Sequence, residues 1–261
     1  SSLGKILIDM SGRWILDRMM GAEQVAYYSA GFRLASVANL AVAAFTLAWK
    51  PFLVRASEEE DSDKIFARVM TFSAVALCGL FLAVSFLADN LARAELFGFH
   101  LIEQNYWPGL AVIPPVMVSY IFYGMYINLT VGCDLTGRTY YYAWTTGTAA
   151  VVNIAANILL IPYRGMMGTA WATLIAYLLQ AGMLYFLTRK IYPVSYEWIK
   201  LLRLAVLAAA CFTAAKIFGD NLAAEGLILV LFCALLFGMR IIDREVLKSL
   251  FSIFYTAPGG K

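Results

Sequence analysis

Charge is what this chain has least of. Only 14% of its 261 residues are Asp, Glu, Lys or Arg and 62% are hydrophobic, which leaves too little polar surface to cover a soluble globule of this length. Histidine is rarer still. His100 stands alone, which argues against a histidine-built metal site, and nothing shows Ser–His–Asp spacing. Cysteine is sparse and scattered: Cys78, Cys133, Cys211 and Cys233 have no C-x-x-C spacing and lie in or beside apolar runs. Each reads as a small buried hydrophobe rather than a disulfide partner or zinc ligand. P-loops and Gly-rich nucleotide turns are missing, and no loop is long enough to hold an inserted soluble domain. These absences point away from an enzyme, a cofactor or a bound metal. The small net charge of +3 needs no nucleic acid to explain it.

What the chain does have is long apolar runs. Residues 105–133, 139–163 and 165–188 carry no charged side chain, and each is long enough to cross a hydrocarbon layer of ~30 Å as a helix of roughly 20 residues. Between the runs the positive charges alternate in number. Lys50, Arg55, Lys64, Arg68, Arg138, Arg189, Lys190, Lys200, Arg203, Arg240, Arg244, Lys248 and Lys261 fall on one set of loops and the tail, and only Arg18, Arg93, Arg164 and Lys216 on the other. Thirteen against four is the positive-inside pattern of a multi-pass membrane protein, and anionic lipid headgroups are the natural neighbours of the richer side.

The expected fold class is therefore all-α, a polytopic bundle of about eight membrane helices. They are read at about 2–19, 24–53, 67–88, 109–132, 139–161, 166–189, 200–217 and 222–240, with the fifth ended by Pro162 and Gly165. Residues 242–256 alternate apolar and charged side chains as an amphipathic helix lying on the cytoplasmic face. Tyr106-Trp107, Tyr140-Tyr141-Tyr142 and the set Tyr192, Tyr196 and Trp198 lie where spans meet water and read as interfacial anchors. The chain starts without Met and already inside a helix, which suggests that the N-terminal portion of a longer protein is absent.

Two spans break the apolar rule. In the first, Lys5, Asp9, Arg13 and Asp17 recur at steps of four, placing alternating charges along a helix face. They read either as a cavity-lining stripe or as solvated charges at an exposed helix. In the second, Arg33 lies about 15 Å into the helix at ~1.5 Å per residue, with Ser29 and Ser36 beside it. An arginine at membrane depth is a functional-site hypothesis by default. The alternative is a salt bridge to Asp9 or Asp17 that fixes packing. A guanidinium fork suits pyrophosphate, because it donates paired hydrogen bonds and does not deprotonate. Other candidates are weaker. Asp61-Ser62-Asp63 spells D-x-D in an acidic loop with no surrounding α/β domain, and His100 lies in a loop with no companion ligand. Asn128-Leu129-Thr130 is a sequon buried in a span. Asn153 and Asn157, one turn apart, and the small residues Gly168, Ala172 and Ala176 read as helix-packing positions.

The order Asn153-x-x-x-Asn157-x-x-Leu160-Ile161-Pro162-x-x-Gly165-x-x-Gly168-x-Ala170-x-Ala172-Thr173 resembles the junction of the eleventh and twelfth helices in polysaccharide flippases of the Wzx type. These belong to the multidrug/oligosaccharidyl-lipid/polysaccharide exporter superfamily. Asp17-Arg18 followed by Glu23-Gln24-Val25-Ala26-Tyr27-Tyr28-Ser29 is similar to that family's passage from seventh to eighth helix, and Gly137-Arg138-Thr139 to its G-K-T. The resemblance covers about residues 1–200. Ala26, where the family usually has glycine, and the two helices after residue 200 depart from it.

The resemblance implies that residues 1–190 form the second, six-helix lobe of a MATE-like, two-lobed transporter, with 191–261 adding two helices and the cytoplasmic tail. It implies a bacterial inner-membrane protein that moves an undecaprenyl-pyrophosphate-linked oligosaccharide, with membrane lipids and the absent N-terminal lobe as its partners. Arg13 and Arg33 would hold the pyrophosphate, Lys5 would lie further out, and Asp9 or Asp17 would bind a coupling proton or cation. A drug/cation antiporter of the same superfamily is the nearest alternative, disfavoured here because Asp9 and Asp17 read as paired along the ladder. A polytopic saccharide polymerase would need a larger extracytoplasmic loop than this chain has.

Overall fold

Apolar runs of this length leave helix as the only local structure that satisfies the backbone within each segment. The computed structural model describes residues 2–93, 95–96, 99–100, 102–218 and 222–241. Its helices are α1 (Ser2–Met20), α2 (Ala22–Ala56), α3 (Ser62–Arg93), α4 (Ile113–Leu129), α5 (Val131–Thr136), α6 (Tyr140–Arg164), α7 (Met166–Thr188), α8 (Trp198–Phe218) and α9 (Leu222–Gly238). A 3₁₀ segment, Gln104–Val112, leads into α4, and a minimal hairpin pairs β1 (Glu95–Leu96) with β2 (Phe99–His100).

The all-α bundle is as expected, but the number of spans is not fixed at eight. Among the described residues six stretches are long and apolar enough to cross a bilayer. The two short of that standard are α1, which carries the charge ladder, and α9, which has 17 residues. The fourth expected helix divides. Pro114 and Pro115 open α4, because the first turn of a helix needs no N–H donors. The fifth does not end at Pro162, which lies inside α6. Gly165 ends it, with φ +52, a conformation open to glycine at little cost. The amphipathic tail lies outside the described residues.

Within the bundle α7 is the central helix. It packs on α6, α4 and α1, and its buried stripe runs from Gly168 through Tyr177 and Gln180 to Thr188. At Gly168 a side chain would meet the Leu160 carbonyl carbon at 2.7 Å, so the turn between α6 and α7 closes backbone on backbone. On the outside the bundle is apolar: Leu40 is 70% exposed and Leu47 81%. Such a surface is stable against hydrocarbon and not against water. Cys78, Cys133 and Cys211 are buried, but Cys233 is exposed on α9, contrary to the expectation that all four are buried.

Candidate functional site

Residues four apart on a helix are offset by about 40°, so a ladder at steps of four winds slowly round its helix. On α1 that drift decides which charges enter the bundle. Lys5, Asp9 and Arg13 are partly buried, whereas Asp17 has rotated onto the exposed side. There it follows Met10 and Trp14, which are exposed. A tight turn at Gly21 brings α2 back antiparallel to α1, so that Lys5 meets Asn39 and Arg13 meets Tyr28 and Phe32.

Each inner charge has its own partner on another helix. Lys5 Nζ donates to Asn39 Oδ1 and lies 5.1 Å from the ring centre of Tyr123 and 5.7 Å from that of Tyr120. Asp9 Oδ1 accepts a 3.1 Å hydrogen bond from Tyr177 Oη on α7. The Arg13 guanidinium sits 4.3 Å from the ring centre of Phe32, and its buried Nε has no hydrogen-bond partner among the described residues. No ion pair within 4.0 Å joins the ladder residues to one another or to Arg33 among the described residues. The ladder is therefore not closed by direct ion pairs among the described residues, and the alternative of a salt bridge from Arg33 to Asp9 or Asp17 is not formed there. The charges are instead held by aromatic faces, an amide and a phenol drawn from α2, α4 and α7.

Arg33 leaves α2 about 100° round from Phe32 and is exposed. It lines a cleft of about 520 Å³ between α2 and the 3₁₀ segment, together with Ser29, Ala30, Glu103 and Tyr106. Ser36 Oγ turns back to bond the Arg33 carbonyl at 2.6 Å, so it is not part of that cleft. Arg13 and Arg33 therefore flank adjacent faces of one helix rather than sharing a single pocket.

No family model matches this chain. Neither does any curated protein or solved structure.

The remaining predicted residues form a second polar layer, between α1 and α6. Ser11 Oγ donates to Asn153 Oδ1 at 3.1 Å, and Asn157 Nδ2 reaches the Asn153 carbonyl at 2.8 Å. A side chain at Gly12 would collide with Thr169 Cγ2 at 2.7 Å, so this layer also holds α1 close to α6 and α7. Asp61 of the D-x-D is exposed and pairs with Lys64 at 2.7 Å, and that ammonium holds its carboxyl below the usual carboxylate range.

Tyr28, Tyr120, Tyr123 and Tyr177, the aromatic setting of the ladder, were missed from sequence. A signal was available: Tyr120, Tyr123 and Tyr126 lie in mid-span of an uncharged helix, away from the interfaces where tyrosine is ordinarily enriched. A buried phenol needs a partner or a role.

Proposed function

We propose that this chain is the second lobe of a bacterial inner-membrane flippase that moves a polyprenyl-pyrophosphate-linked saccharide across the bilayer by alternating access. The supporting observation is a pair of guanidinium groups that border α2: Arg13 of α1 on an aromatic seat, its Nε without a hydrogen-bond partner among the described residues, and Arg33 of α2 at the wall of a cleft that Glu103 also lines. A charged arginine within a spanning segment is costly unless it is paired or faces water, and an anionic headgroup is one way to offset that cost at Arg13. Pyrophosphate supplies one, matched in geometry to the guanidinium fork. No bond is made or broken. A first lobe would close the other side of the cavity, the lipid tail would stay in hydrocarbon, and the undecaprenyl carrier and its O-antigen, capsule or exopolysaccharide cargo follow from the sequence resemblance alone. The charge asymmetry of the loops supports a cytoplasmic C-terminus.

The test is export of the saccharide in cells that depend on this chain. Arg33→Ala is expected to abolish export while membrane insertion stays normal, and Arg33→Lys to retain part of it. Unchanged export in Arg33→Ala rejects the assignment.

A second reading has its own observation. A drug/cation antiporter needs a carboxylate poised among apolar groups. Asp9, bonded to Tyr177 rather than to a cation, fits that need better than its ladder spacing suggested. Uptake of a lipophilic cation into vesicles, lost in Asp9→Asn with saccharide export intact, would favour this reading.

A further inference from the structure

Helix length sets the depth of Arg33. The 35 residues of α2 measure about 52 Å at ~1.5 Å per residue, so the midpoint falls near Asn39. Arg33, six residues nearer the Gly21 end, stands about 9 Å from that midpoint, whereas half of a ~30 Å hydrocarbon core is roughly 15 Å. With the helix centred in the bilayer, its backbone is thus sunk by about 6 Å. A long arginine side chain spans that gap and brings its guanidinium to the phosphate level of the nearer leaflet.

At that level the guanidinium meets a cleft rather than open lipid. The 3₁₀ segment runs alongside α2 in the same direction. Tyr106 lies T-shaped to Tyr27 with ring centres 6.4 Å apart, and one turn further in a side chain at Gly31 would meet Val112. Glu103, which begins that segment, is therefore further out than Arg33. Both line the cleft of about 520 Å³, a volume ordinary for a small-ligand site. No ion pair within 4.0 Å joins them among the described residues, and Glu103 Oε1 accepts a long 3.4 Å hydrogen bond from Asn105. A cation within and a carboxylate at the mouth call for a ligand of the reverse order, anion toward the bilayer and cation toward water.

The geometry points to a resident zwitterionic phospholipid of the phosphatidylethanolamine type, its phosphate on Arg33 and its ammonium on Glu103 and the Tyr106 ring. The guanidinium fork donates to phosphate oxygens, and an ammonium gains from both a carboxylate and an aromatic face. A primary ammonium fits better than a quaternary one, because only the former has N–H donors for Glu103. Val37 and Leu40, further in along the Arg33 face of α2, are exposed and leave the acyl chains an apolar wall. The site stands whether or not the transport reading does, and a pyrophosphate carrier would take Arg33 in turn with the resident lipid.

Native mass spectrometry of the purified protein tests it, with phosphatidylethanolamine, phosphatidylglycerol and phosphatidylcholine of one acyl composition as probes. One phosphatidylethanolamine is expected to be retained with about fivefold preference over either of the others, the upper end for one partly exposed ion pair. Glu103→Gln is expected to bring the three lipids near parity, and Glu103→Lys to turn the preference toward phosphatidylglycerol. Arg33→Gln is expected to lower retention of all three. Both side chains are exposed, so the variants keep the fold, which an unchanged circular dichroism melt checks. Equal retention of phosphatidylethanolamine and phosphatidylglycerol by the unaltered protein overturns the proposal. So does an ethanolamine preference that survives Glu103→Gln, or full retention of all three lipids by Arg33→Gln.

Discussion

Gly31 and Gly109 touch backbone to backbone. A methyl group added at Gly31 would lie 2.0 Å from the Gly109 carbonyl oxygen, and one added at Gly109 would lie 2.1 Å from the carbonyl oxygen of Tyr27. Through this contact the 3₁₀ segment lies directly on α2. Because the colliding atoms are main-chain, no rotamer change can relieve the clash.

Gly31→Ala should therefore push the 3₁₀ segment off α2 and destabilise the protein by about 1–3 kcal/mol, the usual cost of overpacking. Gly182→Ala is the control. Nothing lies within 4 Å of its added carbon, and replacing a mid-helix glycine gains roughly 0.5–1 kcal/mol. Thermal unfolding in detergent measures both, and an unshifted Gly31→Ala midpoint would show that the contact is dispensable.

Asp9 and Tyr177 should be coupled. A hydrogen bond to a charged group contributes about 1.5–3 kcal/mol, so Tyr177→Phe should be destabilising in the natural background and nearly neutral once Asp9 is Leu. A double-mutant cycle gives the coupling. Additive effects would place the 3.1 Å contact outside the energetics.

The seat of Arg13 on Phe32 predicts a smaller coupling, about 0.5–2 kcal/mol for a cation over an aromatic face. It should appear between Arg13→Met and Phe32→Leu and vanish when Phe32 is replaced by Tyr, which keeps the ring. Equal effects of the Leu and Tyr replacements on the stability of the Arg13 protein would contradict it.

Gly165→Ala forces a Cβ into φ +52, at a cost of about 1–2 kcal/mol. The junction of α6 and α7 should then rearrange, lowering the unfolding midpoint. The same replacement at Gly147, whose backbone is ordinary helix with open space around it, should not.

Orientation can be read directly. Ser57 and Asn105 lie at opposite ends of the bundle, on the lysine-rich and lysine-poor sides. In a background with the four natural cysteines replaced, Asn105→Cys should react with a membrane-impermeant maleimide in intact cells, and Ser57→Cys only after permeabilisation. The reverse pattern would invert the topology.

Much of the bundle was legible in the chain. The bounds of α2, α6, α7 and α8 lie within a few residues of those expected, because uncharged runs closed by charged residues or glycine state where hydrocarbon ends. The segment before α4 was misplaced, since an apolar run reads alike whether 3₁₀ or α. The ladder was found, but the groups in direct contact with its charges were not. Sequence spacing reports neighbours on one helix, and the partners of these charges come from three others.

By itself the sequence determined that this is an all-helical membrane protein, where its spans lie, and which charges are stranded within them. These are properties of local composition, settled by the cost of placing charge and unpaired backbone in hydrocarbon. Only the tertiary structure decided that Asp9 answers to Tyr177, that Arg13 rests on Phe32, and that Arg33 stands apart at a cleft beside Tyr106. Those facts depend on how far each helix turns and how close two backbones come, and the packing of distant segments sets both.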